Sequence, residues 1–244
     1  MLAGMNAPTL HSPGGTANAS HRGLVLGLAA VFAAVFAWSA WRPLFPRDWW
    51  LENVLNLPVI AILTAVYRWV PLTRAHWVLI GLFMCLHETG AHYTYAEVPY
   101  NDWTRAWFGR SLNEIFGWER NHFDRFVHFS YGLFIALPIR QLFLRVVEAR
   151  GFWSYFLPLD LTLSSSALYE LIEWGAAETV GGDLGMAYLG TQGDVWDAHR
   201  DMALAGGGAL IAILFSALLA GWRGWKTRRD LRLRRCEAPE SAER

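Results

Sequence analysis

With 244 residues, 54% hydrophobic, 15% aromatic and only 17% charged, the chain is too apolar and too poor in charge for an ordinary soluble domain, and fits a polytopic membrane protein. Its formal net charge is zero and no nucleic-acid motif accompanies it, so nucleic acid is not an expected partner. Its two cysteines, Cys85 in an apolar run and Cys236 in a basic tail, imply no disulfide framework.

Residues 1–22 are rich in Ala, Gly, Pro, Ser and Asn, lack apolar periodicity, and read as a disordered leader. Gly23 to Trp41 is a first spanning helix stopped by Arg42-Pro43, or a signal peptide if Ala37-Trp38-Ser39 is a cleavage site. Val54 to Val70 and Trp77 to His92 predict the second and third helices, Phe126 to Val147 the fourth and Trp153 to Trp174 the fifth. The sixth is the uncharged run Met202 to Trp222, about 30 Å long as a helix and enough to cross a bilayer. The expectation is an all-α bundle of about six transmembrane helices over residues 23–222.

Between the third and fourth helices, residues 96–120 are too polar to span. Trp103, Trp107, Leu112, Ile115 and Phe116 are spaced to give an amphipathic helix on the membrane surface, as a lid or as plain interfacial packing. After the last helix, residues 223–244 hold Lys226, Arg228, Arg229, Arg232 and Arg234, a cytoplasmic anchor against anionic lipid. Placing both termini inside also collects Arg22, Arg68, Arg74, Arg140, Arg145 and Arg150 in the cytoplasm, as the positive-inside rule prefers. Tryptophans near the predicted helix ends form interfacial belts.

That topology brings four polar motifs to the extracytoplasmic side. Helix three closes on His87 and Glu88, where His87 and His92 are five apart and so do not form the HExxH zinc motif. Helix four opens with Asn121, Asp124 and His128 along one face, and helix five closes with Glu170 and Glu173 one turn apart. Gly190 to Met202, GTQGDVWDAHRDM, puts Asp194, Asp197 and Asp201 on one face of a helix start. Against these acids stand only Arg120, Arg125 and Arg200. Such an excess of negative charge at a membrane boundary requires either protonated carboxylates or a bound divalent cation.

Imidazole with carboxylate ligands suits a divalent transition metal, zinc, manganese or iron, better than calcium. The candidate ligands are His87, His128, Asp197, Asp201 and Asp124. Glu88 or Glu170 is the candidate general base, and Arg125 and Arg200 are candidates to hold a phosphate or carboxylate of the substrate. The leading expectation is a metal-dependent membrane hydrolase acting on a lipid or lipid-linked envelope substrate, with membrane lipids as its surroundings. An ion- or proton-coupled carrier is the alternative, although only Asp160 continues the acids toward the cytoplasm; a non-catalytic envelope or assembly factor with a structural metal is another. Blander readings stand beside each residue: Asp194 as a helix cap, His122 as an interfacial side chain, Glu173 facing headgroups, and the whole set as a polar network bridging helices.

On HETGAHYTY, VPYNDW, RNHFDRFVHF, SALYELIEW and GTQGDVWDAHRDM, across Val54 to Trp222, the sequence resembles the YjdF-like family of uncharacterised bacterial inner-membrane proteins. The resemblance implies a helical multi-pass fold in the inner membrane and supplies no activity. More faintly, an acid closing one helix, an aspartate opening the next and the run Gly206-Gly207-Gly208 are similar to VanZ-like proteins, linked to glycopeptide tolerance and the cell envelope. The arginine those proteins carry between the two elements has no clear counterpart.

Overall fold

In the computed structural model, which describes residues 18–181, 189 and 191–237, the expected all-α fold is present, with no strand among the described residues. The first helix, α1, is Arg22–Ser39. The second segment begins earlier than its hydropathy predicts: α2, Pro46–Val54, starts on a proline suited to the first helical turn and runs through Leu55 into α3, Asn56–Trp69. Asp48, Glu52 and Asn53 gave this entry the look of a loop, but all three are buried. Then come α4, Arg74–His92, capped by Thr73; the short α5, Tyr100–Phe108, and α6, Leu112–Phe116; and the long α7, Phe123–Arg145, α8, Trp153–Val180, and α9, Asp197–Glu237.

All six expected segments are helical. Four of them, α1, α2–α3, α7 and α9 as far as Thr227, are long and apolar enough to cross a membrane. In α4 and α8 the apolar character is diluted by polar residues: His87 and Glu88 in one, Ser164 to Ser166, Glu170 and Glu173 in the other. Residues 1–17 of the expected leader lie outside the described residues, as do residues 238–244 of the tail. Asn18, by contrast, is fully buried, donating to the carbonyls of Tyr67 and Val70 and accepting from the Leu72 amide, so the chain is tied to the bundle before α1 begins.

The surface segment does not form one amphipathic helix. Gly109, at φ +75°, breaks it into α5 and α6, and the apolar residues divide. Trp103 and Leu112 pack inward on Tyr95, Val98, Tyr100, Phe123 and Val127, while Trp107, Phe108, Ile115 and Phe116 are exposed.

The centre of the bundle is α7, which packs along α9, α4 and α8, with α1 against the far side of α4. The α7–α9 contact is close because glycine backbone meets backbone: a Cβ on Gly132 would fall 1.8 Å from the Ala205 carbonyl oxygen, and one on Gly208 2.2 Å from that of Phe129. Ala136, Ala205, Ala209 and Ala212 continue this small-residue seam, as membrane helix contacts favour. Because the helices alternate in direction, the closing ends of α1, α4 and α8 meet the opening ends of α2, α7 and α9. Asp48, Glu52, Glu88, Asp197 and Asp201, the buried carboxylates among the described residues, all lie at that end.

Candidate functional site

The aspartate stripe divides at the start of α9. Gln192 and Gly193 have φ of +49° and +85°, so the backbone turns before the helix and Asp194 stands in a loop, its Oδ1 accepting from the Trp196 amide at 3.1 Å. Three guanidinium groups converge on its Oδ2: Arg125 at 2.5 Å, Arg120 at 3.5 Å, and Arg200. Asp197, the first residue of α9, takes Arg120 at 2.8 Å and Arg125 at 3.4 Å. Burial alone pushes the Asp194 carboxyl up, but the Trp196 amide and the three arginines outweigh it and hold the group below the usual carboxylate range. Burial and the Arg125 and Arg120 charges likewise push the His122 imidazole down. Arg125 and Arg200, expected to face a substrate, therefore face Asp194, and Asp197 faces arginine rather than His128. These five residues form a latch joining the α6–α7 connection to the head of α9.

One turn further along α9 is Asp201, 2% exposed and turned toward α7. Asp124 and His128 lie one turn apart on α7, with Asp124 Oδ1 3.5 Å from His128 Nε2. One ligand atom from each of Asp124, His128 and Asp201 lies within 4.8 Å of the others. Glu170, from α8, brings Oε1 to 3.6 Å from His128 Nε2. Asp201 Oδ1 and Glu170 Oε1 are buried without a hydrogen-bond partner. Among the described residues, no arginine or lysine forms an ion pair with Asp124, Glu170 or Asp201. Ligands about 2.1 Å from a tetrahedral metal stand roughly 3.4 Å apart, close to the Asp124–His128 separation, and Asp201, within 4.8 Å of both, is the third candidate ligand.

Glu88, the other expected base, is committed elsewhere. It is fully buried, with Oε2 accepting from Ser39 Oγ at 2.5 Å and Oε1 from Asn56 Nδ2 at 2.7 Å. Ser39 in turn accepts from Trp49 Nε1 at 3.0 Å. Glu88 thus joins α1, α2, α3 and α4. Glu52, beside it on α2, accepts from Tyr169 at 2.9 Å, and the Tyr169 ring stands edge-on to His128 with centroids 5.8 Å apart. Sequence reasoning missed Ser39, Glu52, Asn56 and Tyr169; the available signal was Glu52 and Asn56, four apart at the entry to an apolar helix.

His87 is also apart from the metal-type trio. Its Nδ1 lies 2.5 Å from the Tyr95 hydroxyl, and its Nε2 is buried without a partner. Thr94 and Tyr95 both have positive φ, 53° and 55°, which folds the Tyr95 ring back over Gly90, where a Cβ would fall 2.5 Å from it. Burial pushes the Tyr95 phenol well above its ordinary range, so it keeps its proton. His87 and His128 border one cavity of about 220 Å³ between α3, α4, α7 and α8.

A bundle of this kind, with apolar spanning helices and its buried carboxylates gathered at one end, defines a polytopic helical membrane protein. The chain belongs to the predicted membrane protein family DUF2238, whose profile matches residues 24–221 and so takes in every residue of the site. It is similar to the inner membrane protein YjdF of Escherichia coli (strain K12), 38% identical over 170 residues that cover 69% of this chain and 77% of the relative. No solved structure matches it.

Proposed function

We propose that the protein is a membrane-embedded, metal-dependent hydrolase whose divalent transition metal is held by Asp124, His128 and Asp201. The observation that carries this reading is the meeting of these three ligand atoms within 4.8 Å, with His128 and Asp201 buried, Asp124 half-buried, and no arginine or lysine in an ion pair with either aspartate among the described residues. Buried carboxylates in that condition require a proton or a metal ion, and an imidazole among them favours zinc, manganese or iron. A metal held there would supply Lewis-acid activation of water, and Glu170, with an unpartnered buried oxygen beside His128, is placed to take a proton as general base. Glu88 has both oxygens occupied and serves to hold helices together.

The substrate is a lipid or lipid-linked envelope component. The site lies just inside the ends of spanning helices, and the arginine distribution favours the extracytoplasmic side. A carrier is disfavoured, because Asp160, toward the opposite end, is exposed and no buried carboxylate lies there among the described residues. The test is elemental analysis of detergent-purified protein after dialysis. A near-stoichiometric transition metal in the wild type, lost in both Asp201→Asn and His128→Ala, is the expected result. Metal absent from the wild type after supplementation overturns the reading, and metal unchanged in both variants removes these ligands from it.

A further inference from the structure

A groove of about 400 Å³ runs between α1, α3 and α4, apart from the metal-type trio. Its walls include Leu28 and Phe32 of α1, Leu63 and Tyr67 of α3, and Ile80 and Met84 of α4, with Arg22 at one end. The groove exists because the three helices are unequally spaced. Helix α1 approaches α4 closely at Gly81, where a Cβ would fall 3.1 Å from Leu28 Cδ2. Helix α3 reaches α4 through long side chains instead: the Tyr67 ring stands edge-on to Trp77 with centroids 5.8 Å apart. The dimensions suit one hydrocarbon chain. A cavity of roughly 150 Å³ takes a benzene ring, about 25 Å³ per carbon, so 400 Å³ takes about 16 carbons. From Arg22 to Phe32 the groove follows α1 for about 15 Å, half the roughly 30 Å thickness of bilayer hydrocarbon.

The charge at the two ends of the bundle is opposite. Arg22 opens α1 at the end away from the buried carboxylates, one turn after Asn18, which donates to the Tyr67 carbonyl at 2.8 Å. Arg68 and Arg74 lie at the same end, and residues 18–47 and 53–87 contain no Asp or Glu. Among the described residues, none of these three arginines forms an ion pair. A basic mouth on an apolar groove between membrane helices suits an anionic headgroup with its chain beneath it. A zwitterionic lipid brings a quaternary or primary ammonium along with its phosphate, and the same arginines repel that cation.

We propose that this groove binds one anionic phospholipid from the leaflet at that end, which the arginine distribution makes the cytoplasmic one, with its phosphate beside Arg22 and one acyl chain running toward Phe32 and Met84. Lipid tails gain little on moving from bilayer to groove, so the charged mouth supplies the preference and the groove supplies the place. The bound chain braces α3, whose Asn56 donates to Glu88 at 2.7 Å. The site lies in the opposite leaflet from the metal-type trio and does not depend on the hydrolase reading.

The test titrates the delipidated full chain in mild detergent with phosphatidylglycerol or with phosphatidylcholine of the same chains, and reads the first bound lipid by native mass spectrometry. Phosphatidylglycerol is expected to bind the wild type about fivefold more tightly, the worth of one basic residue beside an anionic headgroup. Arg22→Gln loses that preference, and Arg223→Gln, which removes the same charge from the closing part of α9, keeps it. Ala29→Trp, at a position lining the groove, loses it with Arg22 still in place. Equal binding of the two lipids by the wild type overturns the proposal. So does a preference that survives Arg22→Gln or folded Ala29→Trp, or one that Arg223→Gln abolishes equally. A second measurement needs no variant: in nanodiscs, phosphatidylglycerol with a diazirine midway along one chain is expected to label Leu28 and Leu63 more than its phosphatidylcholine counterpart does, and exposed Leu218 equally. No excess at Leu28 and Leu63 overturns the proposal.

Discussion

Glu170 Oε1 lies 3.6 Å from His128 Nε2, close enough to act on what the imidazole holds and too far to share a hydrogen bond with it. Glu170→Gln is therefore expected to retain the metal that Asp201→Asn loses, while lowering turnover of any ester substrate about 10²- to 10⁴-fold, the usual contribution of a general base. Elemental analysis and a lipid hydrolysis assay on the same preparation check it. Metal lost from Glu170→Gln would make this residue a fourth ligand instead.

Glu88 has a different role, and its variants should show it. Removing a donor with Ser39→Ala leaves Oε2 of a fully buried carboxyl unsatisfied. A loss of about 1–2 kcal/mol is expected, read as earlier thermal unfolding in detergent, with metal content unchanged. Glu88→Gln keeps an acceptor for Asn56 and should cost less than Ser39→Ala. A metal deficit in Glu88→Gln would return this residue to the catalytic set.

The glycine run offers an internal control. Gly208→Ala places a methyl group 2.2 Å from the Phe129 carbonyl oxygen, whereas a Cβ on Gly207 meets nothing within 4 Å. Gly208→Ala should cost about 1–3 kcal/mol as overpacking, and Gly207→Ala nothing. Because the same contact sets the spacing of Asp201 from Asp124 and His128, Gly208→Ala should also weaken metal retention, measured by competition with a chelator. Normal retention in a destabilised Gly208→Ala protein would separate the seam from the site.

The arginine latch predicts a response to acid. The Asp194 carboxyl is depressed in the folded protein, so its contribution is present in full above its ordinary value of 3.8 and is lost as pH falls through the lower folded value. Hydrogen exchange of residues 191–200 should speed up across that window, after correction for the intrinsic pH dependence of exchange. Asp194→Asn should exchange quickly at neutral pH and show no further loosening in acid. An identical acid response in wild type and Asp194→Asn would assign the transition to another group.

The meeting of Asp124, His128, Glu170 and Asp201 was legible because alternating helices carry their ends to alternate sides, and each of these residues sits near a helix end on the same side. Asp194 was not legible as a latch residue, since the turn at Gln192 and Gly193 depends on a backbone conformation that the acidic spacing does not reveal. Ser39, Asn56 and Glu52 were hidden for another reason. Hydropathy scored the polar entry to α2 as a connection, although Ser39 and Asn56 are paired with Glu88, and Glu52 with Tyr169, on helices distant in sequence. Likewise Gly206, Gly207 and Gly208 look alike in the sequence, and only the register of α9 shows that Gly208 faces α7 while Gly207 faces open space.

The last helix has a further consequence. At 41 residues it is about 60 Å long, with Asp197 and Asp201 in its opening turns and the basic residues beyond Arg223 in its closing ones. The glycine crossing at Gly208 divides it into arms of roughly 10 Å toward Asp201 and roughly 45 Å toward Glu237. As a rigid rod pivoting there it is a lever with unequal arms: a displacement at the basic end arrives at Asp201 reversed in direction and reduced about fourfold.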